Sequence, residues 1–276
     1  GILQEKQGDK EGAISSYNRA LQINPDYTDA HYNLANLLME EDDLKGAEKH
    51  YSEILRINPA KMEARSNLGV LLTRQGKLDE ALFHLREAVR INPEDAMARN
   101  NLGGILESRG DVEEAARSYA EALALDPDNT KTRTNLSRVL VKAGDLALVS
   151  RYYREVLRSA PKNVDIGLDF GVALSRLGDL EGAIAQFGEV VRIAPKDPRA
   201  RYNLGLALFK WGKMGEAAKQ YQESLKLVPQ NHRAQYNLAL ALYGSGDFAG
   251  AIGHFEEAMR LDPALKAQAS YDIARA

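Results

Sequence analysis

Six asparagines stand in one register: Asn33, Asn67, Asn101, Asn135, Asn203 and Asn237 fall 34 residues apart or at twice that spacing, with Asp169 on the remaining step. An asparagine amide carries a donor and an acceptor together, so a row of them can hold the backbone of an extended peptide without reading its side chains. Catalytic chemistry finds no comparable material. The sequence holds no serine–histidine–acid set, no phosphate-binding glycine loop and no paired carboxylates with a reason to meet. With no cysteine, a disulfide framework, a zinc–thiolate site and a cysteine nucleophile are all excluded. His50, His84 and His254 share one register, but two histidines without a carboxylate or thiolate make a poor metal site, so they are expected on solvated surface, with His31 and His232 unremarkable. Neither a cofactor nor a metal is expected.

The elements that carry these residues are set by a period. Pro25, Pro59, Pro93, Pro127, Pro161, Pro195, Pro229 and Pro263 each follow the last by 34 residues, and only Pro198 stands outside the series. Placing this proline at position 32 gives full units at 28–61, 62–95, 96–129, 130–163, 164–197, 198–231 and 232–265. Position 7 is leucine or Phe170, position 8 is glycine, alanine or serine, position 20 is alanine or Val149, and position 24 is aromatic or Leu85. Within 28–61, Ala30, Leu34, Leu37 and Leu38 line one face of a helix A, and Leu44, Ala47, Tyr51, Ile54 and Leu55 line one face of a helix B. Gly8, Gly76, Gly110, Gly144, Gly178, Gly212 and Gly246 fall between A and B, where a left-handed C-cap is wanted. Asp9, Asp43, Asp111, Asp145, Asp179 and Asp247 follow as N-caps of helix B, and Asp111 with Glu114 reads as a capping box. Helix A begins after Asp95, Asn129, Asn163, Asp197 or Asn231. Small residues at positions 8 and 20 allow A and B to approach closely, and each pair keeps apolar surface that only the next pair can cover.

This leucine–small, alanine, aromatic and proline pattern resembles the tetratricopeptide-repeat family over the whole chain. The resemblance implies an all-α fold: a right-handed α-solenoid superhelix of antiparallel helix pairs with 34-residue repeats. Residues 1–276 read as one array, with a partial repeat at 1–27 and a partial repeat or capping helix at 266–276, where Tyr271, Asp272 and Ile273 echo Tyr236, Asn237 and Leu238. Gly1 falls at position 8, which reads as a fragment of a longer protein. Unit 130–163 departs from the pattern at Ser137, Val149 and Ser159-Ala160, and a local change of superhelical pitch is expected there.

In this family the A helices line a concave groove, so the resemblance places the asparagine row in it, similar to the asparagine ladder of the O-GlcNAc transferase repeats. The other groove positions are mixed to acidic in the first half, with Asp29, Glu40, Glu63, Arg74 and Glu107 beside Tyr32 and Met39. The second half offers Lys131, Arg138, Lys142, Arg176, Arg199, Lys210 and Arg233, interleaved with Tyr202, Phe209, Tyr236 and Tyr243. Basic heads with aromatic faces suit an acidic peptide or a carboxylate terminus. The carboxylate clamp of some relatives needs lysine at position 5 and arginine at position 6; no complete unit has either, so that clamp is absent. Trp211, at the end of a helix A, is expected to pack rather than to serve as a ligand platform.

The reading is a non-enzymatic scaffold that holds a peptide or partner protein in its groove. Its alternatives are the substrate-recruiting arm of a larger enzyme such as a glycosyltransferase, and a structural scaffold that self-associates through its end helices. A net charge of −3 gives no reason to expect nucleic acid, and no run of about 18 apolar residues predicts membrane contact.

Overall fold

The computed structural model describes residues 1–275. They are helical throughout, and the chain divides into two compact units, Gly1–Val139 and Leu140–Ala276. The first opens with α1 (Ile2–Lys6) and α2 (Lys10–Ile23). It continues through α3 (Thr28–Glu40) with α4 (Leu44–Ile57), α5 (Met62–Arg74) with α6 (Leu78–Ile91), and α7 (Ala96–Arg109) with α8 (Val112–Leu125). The boundary falls inside α9 (Thr130–Ala143). The second unit holds α10 (Leu146–Ser159), then α11 (Val164–Arg176) with α12 (Leu180–Ile193) and α13 (Pro198–Lys210) with α14 (Met214–Leu227). It ends in α15 (His232–Gly244) with α16 (Phe248–Leu261), a 3-10 turn at Pro263–Leu265 and α17 (Lys266–Arg275). Odd-numbered helices from α3 to α15 are the A helices and even-numbered ones the B helices.

Helix ends follow the local chemistry. Gly110 at φ 87° and Gly178 at φ 88° take the left-handed conformation that turns A into B. In the first of the full repeats Asp42 takes this conformation at φ 63°, the one non-glycine residue among those described to do so. Asp9, Asp43, Asp179 and Asp247 each accept from the backbone N–H three residues on, at 2.9, 2.9, 2.8 and 3.0 Å. The expected capping box at Asp111 does not form. Asp111 accepts no capping hydrogen bond; its carboxylate turns to Arg109 at 3.1 Å, and Glu114 pairs with Arg86 at 2.9 Å. Charged partners outbid the backbone N–H at this turn.

In three of the pairs A and B meet at an aromatic ring laid against a turn of helix A that has no side chain. A Cβ on Gly103, Gly171 or Gly205 would lie 2.7, 2.5 or 2.9 Å from the ring of Tyr119, Phe187 or Tyr221. These rings are buried, each contributing about 1.5–3 kcal/mol. B helices then pack on the next A helix, as where Ala13 and Tyr17 of α2 join Ala30, Leu34 and Leu37 of α3 in one apolar cluster. A further tie recurs at position 4. His31, Arg65, Arg99, Arg201 and Gln235 each donate to the carbonyl of the repeat proline six residues back, at 2.8, 2.9, 2.7, 3.1 and 3.2 Å.

Within each unit successive A helices touch, α5 with α7 in the first and α11 with α13 and α13 with α15 in the second. Successive B helices do not approach as closely among the described residues. The stack in each unit therefore curves with its A helices on the inner side.

The Gly171 contact makes a direct test. Gly171→Ala should destabilise the protein by about 1–3 kcal/mol through overpacking against Phe187. Gly188→Ala, in α12 with nothing within 4 Å, should be neutral or stabilising by up to about 1 kcal/mol. Thermal midpoints that fall equally for both variants would refute the close-approach account.

Candidate functional site

On the inner face, most of the asparagine row is spent on joining repeats. In the first unit Asn67 Nδ2 donates to Tyr32 Oη at 3.2 Å, Asn101 Nδ2 to Ser66 Oγ at 3.2 Å, and Asn135 Nδ2 to Asn100 Oδ1 at 3.2 Å. In the second, Asn237 Nδ2 donates to Tyr202 Oη at 2.9 Å. Each bond links position 6 of one repeat to position 5 of the repeat before. Tyr236 extends the rule to α17, donating to Asp272 at 2.6 Å. Around Asn67 the network is larger, because Asn36 Oδ1 at 3.1 Å and Tyr51 Oη at 3.3 Å also face its amide. Burial there holds the Tyr51 phenol well above its usual range.

Asn203 breaks the rule. Position 5 of the preceding repeat is Leu168, whose side chain has no polar atom to offer, and Asn203 makes no side-chain hydrogen bond among the described residues. It lines a cavity of about 360 Å³ within the second unit. Leu168, Asp169 and Val172 of α11 form one wall, Pro198, Arg199 and Tyr202 of α13 another, and Val228 and Asn231 close the end. The site combines an apolar wall with a free amide. Asn33 is also without a bond and lines a separate cavity of about 390 Å³ with Tyr17, Tyr27, Asp29 and Tyr32.

The cations divide into two groups. Arg138 is neutralised by Glu107 and also donates to Asn135 Oδ1 at 3.1 Å, while Arg199 lies between Asp197 at 2.7 Å and Asp165 at 2.8 Å. Lys131, Lys142, Arg176, Lys210 and Arg233 are exposed and have no acidic partner among the described residues. The aromatics are partly buried: Tyr202 lies 5.8 Å from the Tyr221 ring, Tyr236 stands edge-on to Phe255 at 5.4 Å, and Tyr243 edge-on to Phe248 at 5.4 Å. Phe209 is half-buried beside them in chain order. Burial raises the Tyr202 phenol above its ordinary value, against the opposing pull of Arg233.

Two expectations need correction. The histidines of the B helices are not solvated surface. His50 is half-buried, with Nδ1 2.8 Å from Nδ1 of buried His31, and His254 Nδ1 lies 2.7 Å from Gln235 Oε1. The Pro25 carbonyl can only accept, so His31 carries a proton on Nε2, and when His31 is neutral its Nδ1 accepts from His50. His84 keeps a buried Nδ1 with no hydrogen-bond partner. The registers of positions 4 and 23 meet across the A–B contact, which a reading of each helix alone does not reveal. Trp211 is also not packed away; it is 42 % exposed, with Lys213 Nζ 5.9 Å from its ring. No group of three or more metal-ligating side chains occurs among the described residues, and no described helix is long and apolar enough to cross a membrane.

The geometry defines a class, a solenoid of antiparallel helix pairs whose A helices present an open inner face in each unit. Family models place it. Residues 6–42 match a TPR repeat model, 38–102 and 202–266 match tetratricopeptide-repeat models, and 82–202 match the TPR domain of cytochrome c-type biogenesis protein H. The chain belongs to the tetratricopeptide-repeat family. Such arrays are generally non-catalytic scaffolds for protein–protein interaction. Among solved structures, it is similar to the MamA protein, at 20% identity over 63% of this chain and 96% of that one, with a TM-score of 0.48. It is similar to YrrB, described as a TPR protein with an unusual peptide-binding site, at 18% identity over 79% and 97% with a TM-score of 0.44. Yeast Tom70 is similar at 17% identity over 97% of this chain and 58% of that one, with a TM-score of 0.50. These likenesses concern the fold. No curated protein matches the chain.

The histidine pair predicts a pH dependence. Burial, then the charge of His31, pushes His50 down to about 4, below its unfolded value of about 6.5. The unfolded chain therefore binds more protons between these values, so stability is full above pH about 6.5 and falls as pH drops toward about 4. Urea midpoints should decline across this window, and His50→Gln should reduce the decline. Equal slopes in the two proteins would contradict the assignment.

Proposed function

We propose that the second unit binds an extended segment of a partner protein along the inner face of α11, α13 and α15, centred on Asn203. One observation carries this reading: Asn203 holds the position that is tied down by hydrogen bonds in Asn67, Asn101, Asn135 and Asn237, yet its amide opens into a cavity. That amide can donate to a peptide carbonyl and accept from a peptide N–H together, fixing the backbone of a bound strand. Leu168, Val172 and Val228 give an apolar neighbour on the segment somewhere to rest, and the Tyr202 ring is a typical interface anchor. Asn67, Asn101, Asn135 and Asn237 serve the scaffold, holding successive A helices at the separation that shapes the face.

The test uses peptides selected from a random library on the whole chain. Asn203→Ala should weaken the selected peptides about tenfold, the worth of one or two backbone hydrogen bonds, without lowering the melting temperature. Asn101→Ala should do the reverse, lowering the melting temperature and leaving affinity unchanged. Peptides that bind the Asn203→Ala protein as tightly as the parent would reject this site.

A further inference from the structure

Position 13, at the last turn of helix A, is charged in five repeats, as Glu40, Arg74, Lys142, Arg176 and Lys210. In the first unit these charges are spent. Glu40 pairs with Lys10 at 3.3 Å, and Arg74 reaches Asp42 at 2.7 Å and the Met39 carbonyl at 3.1 Å. In the second unit Lys142, Arg176 and Lys210 are exposed and have no acidic partner among the described residues. The difference has a local cause. Arg74 finds its carboxylate at position 15 of the preceding repeat, where Asp42 tolerates the left-handed turn. At the equivalent position of the repeats before Arg176 and Lys210 stand Gly144 and Gly178, which meet the same backbone demand at φ 69° and 88° and bring no side chain. The turn that ends each helix so leaves the next repeat's cation unneutralised.

We infer that this row of three cations selects an acidic peptide, with one carboxylate for each repeat. The inference rests on the reading that the inner face of the second unit holds an extended segment, and it names the chemistry of that segment. Packed helices stand about 10 Å apart. An extended strand rises about 3.3 Å per residue. The carboxylates that match the row are therefore spaced by about three residues, as in Glu-x-x-Glu-x-x-Glu. Salt bridges made at an exposed rim are individually weak, so discrimination comes from their register rather than from any one pair. Trp211, the only tryptophan, directly follows Lys210 and lies 42 % exposed, so its emission reports occupancy at the end of the row.

The experiment titrates the whole chain with two peptides of equal composition, one with three glutamates at every third position and one with the three adjacent. The spaced peptide should bind about tenfold tighter at low salt and shift Trp211 emission. Lys142→Gln, Arg176→Gln and Lys210→Gln combined should abolish that preference with helicity unchanged, whereas Glu40→Gln should leave it intact. Equal affinity for both peptides, a preference that survives the triple substitution, or an oligonucleotide that binds the row in place of either peptide would overturn the inference. Asn203→Ala separates the two levels. Asn203-dependent binding without a spacing preference sinks only the acidic register, and binding indifferent to Asn203 sinks the reading beneath it.

Discussion

The ring of Phe187 occupies the space in which a Cβ on Gly171 would sit, and Tyr119 and Tyr221 stand in the same relation to Gly103 and Gly205. This contact brings helix A onto helix B closely enough to bury the ring completely, and Ala47, Ala115, Ala183 and Ala217 keep the opposite helix equally small. A helix pair of this size cannot bury its own apolar surface, because each helix is apolar on more than one side. The residual surface of B is covered by the next A, and the closer approach of successive A helices bends each unit toward them. An inner face built from A helices alone is the consequence.

Repetition then governs the polar groups on that face. The spacing that places position 6 of one repeat against position 5 of the previous one recurs at four junctions within the units, where a polar residue at position 5 captures the asparagine. Where position 5 is Leu168 the asparagine is left open, and the same aliphatic side chain forms part of the cavity wall. A single change of residue type in an otherwise regular lattice both releases a hydrogen-bonding group and gives it an apolar neighbour. The cations behave similarly: Asp42 quenches Arg74, and glycine at the equivalent turns leaves Arg176 and Lys210 exposed.

Much of this was legible in the sequence, because it depends on short-range rules. The prolines gave the period, and glycine and aspartate marked the turn and the cap between A and B. The asparagine row was visible, but its employment was not. Whether Asn101 is free depends on Ser66, 35 residues away, and only the packing of two A helices brings them to 3.2 Å. The same holds for His31 and His50, which lie on different helices and meet across the A–B contact. The failed cap at Asp111 has a similar origin, since Arg109 competes from the preceding helix and Arg86 draws off Glu114 from another repeat. Local propensity fixes elements; the allotment of side-chain hydrogen bonds between repeats is decided by contacts that no single element contains.

The central claim, that Leu168 creates the binding site by leaving Asn203 unpaired, is tested most directly by measuring peptide affinity in Leu168→Asn. Asparagine has the same number and branching of side-chain heavy atoms as leucine, and Asn100 already accepts from Asn135 in the equivalent place at 3.2 Å. If the account holds, the substituted protein stays folded, captures the Asn203 amide and loses peptide binding to the level of Asn203→Ala. Affinity equal to that of the parent, with Asn203 shown to be hydrogen-bonded, would contradict it.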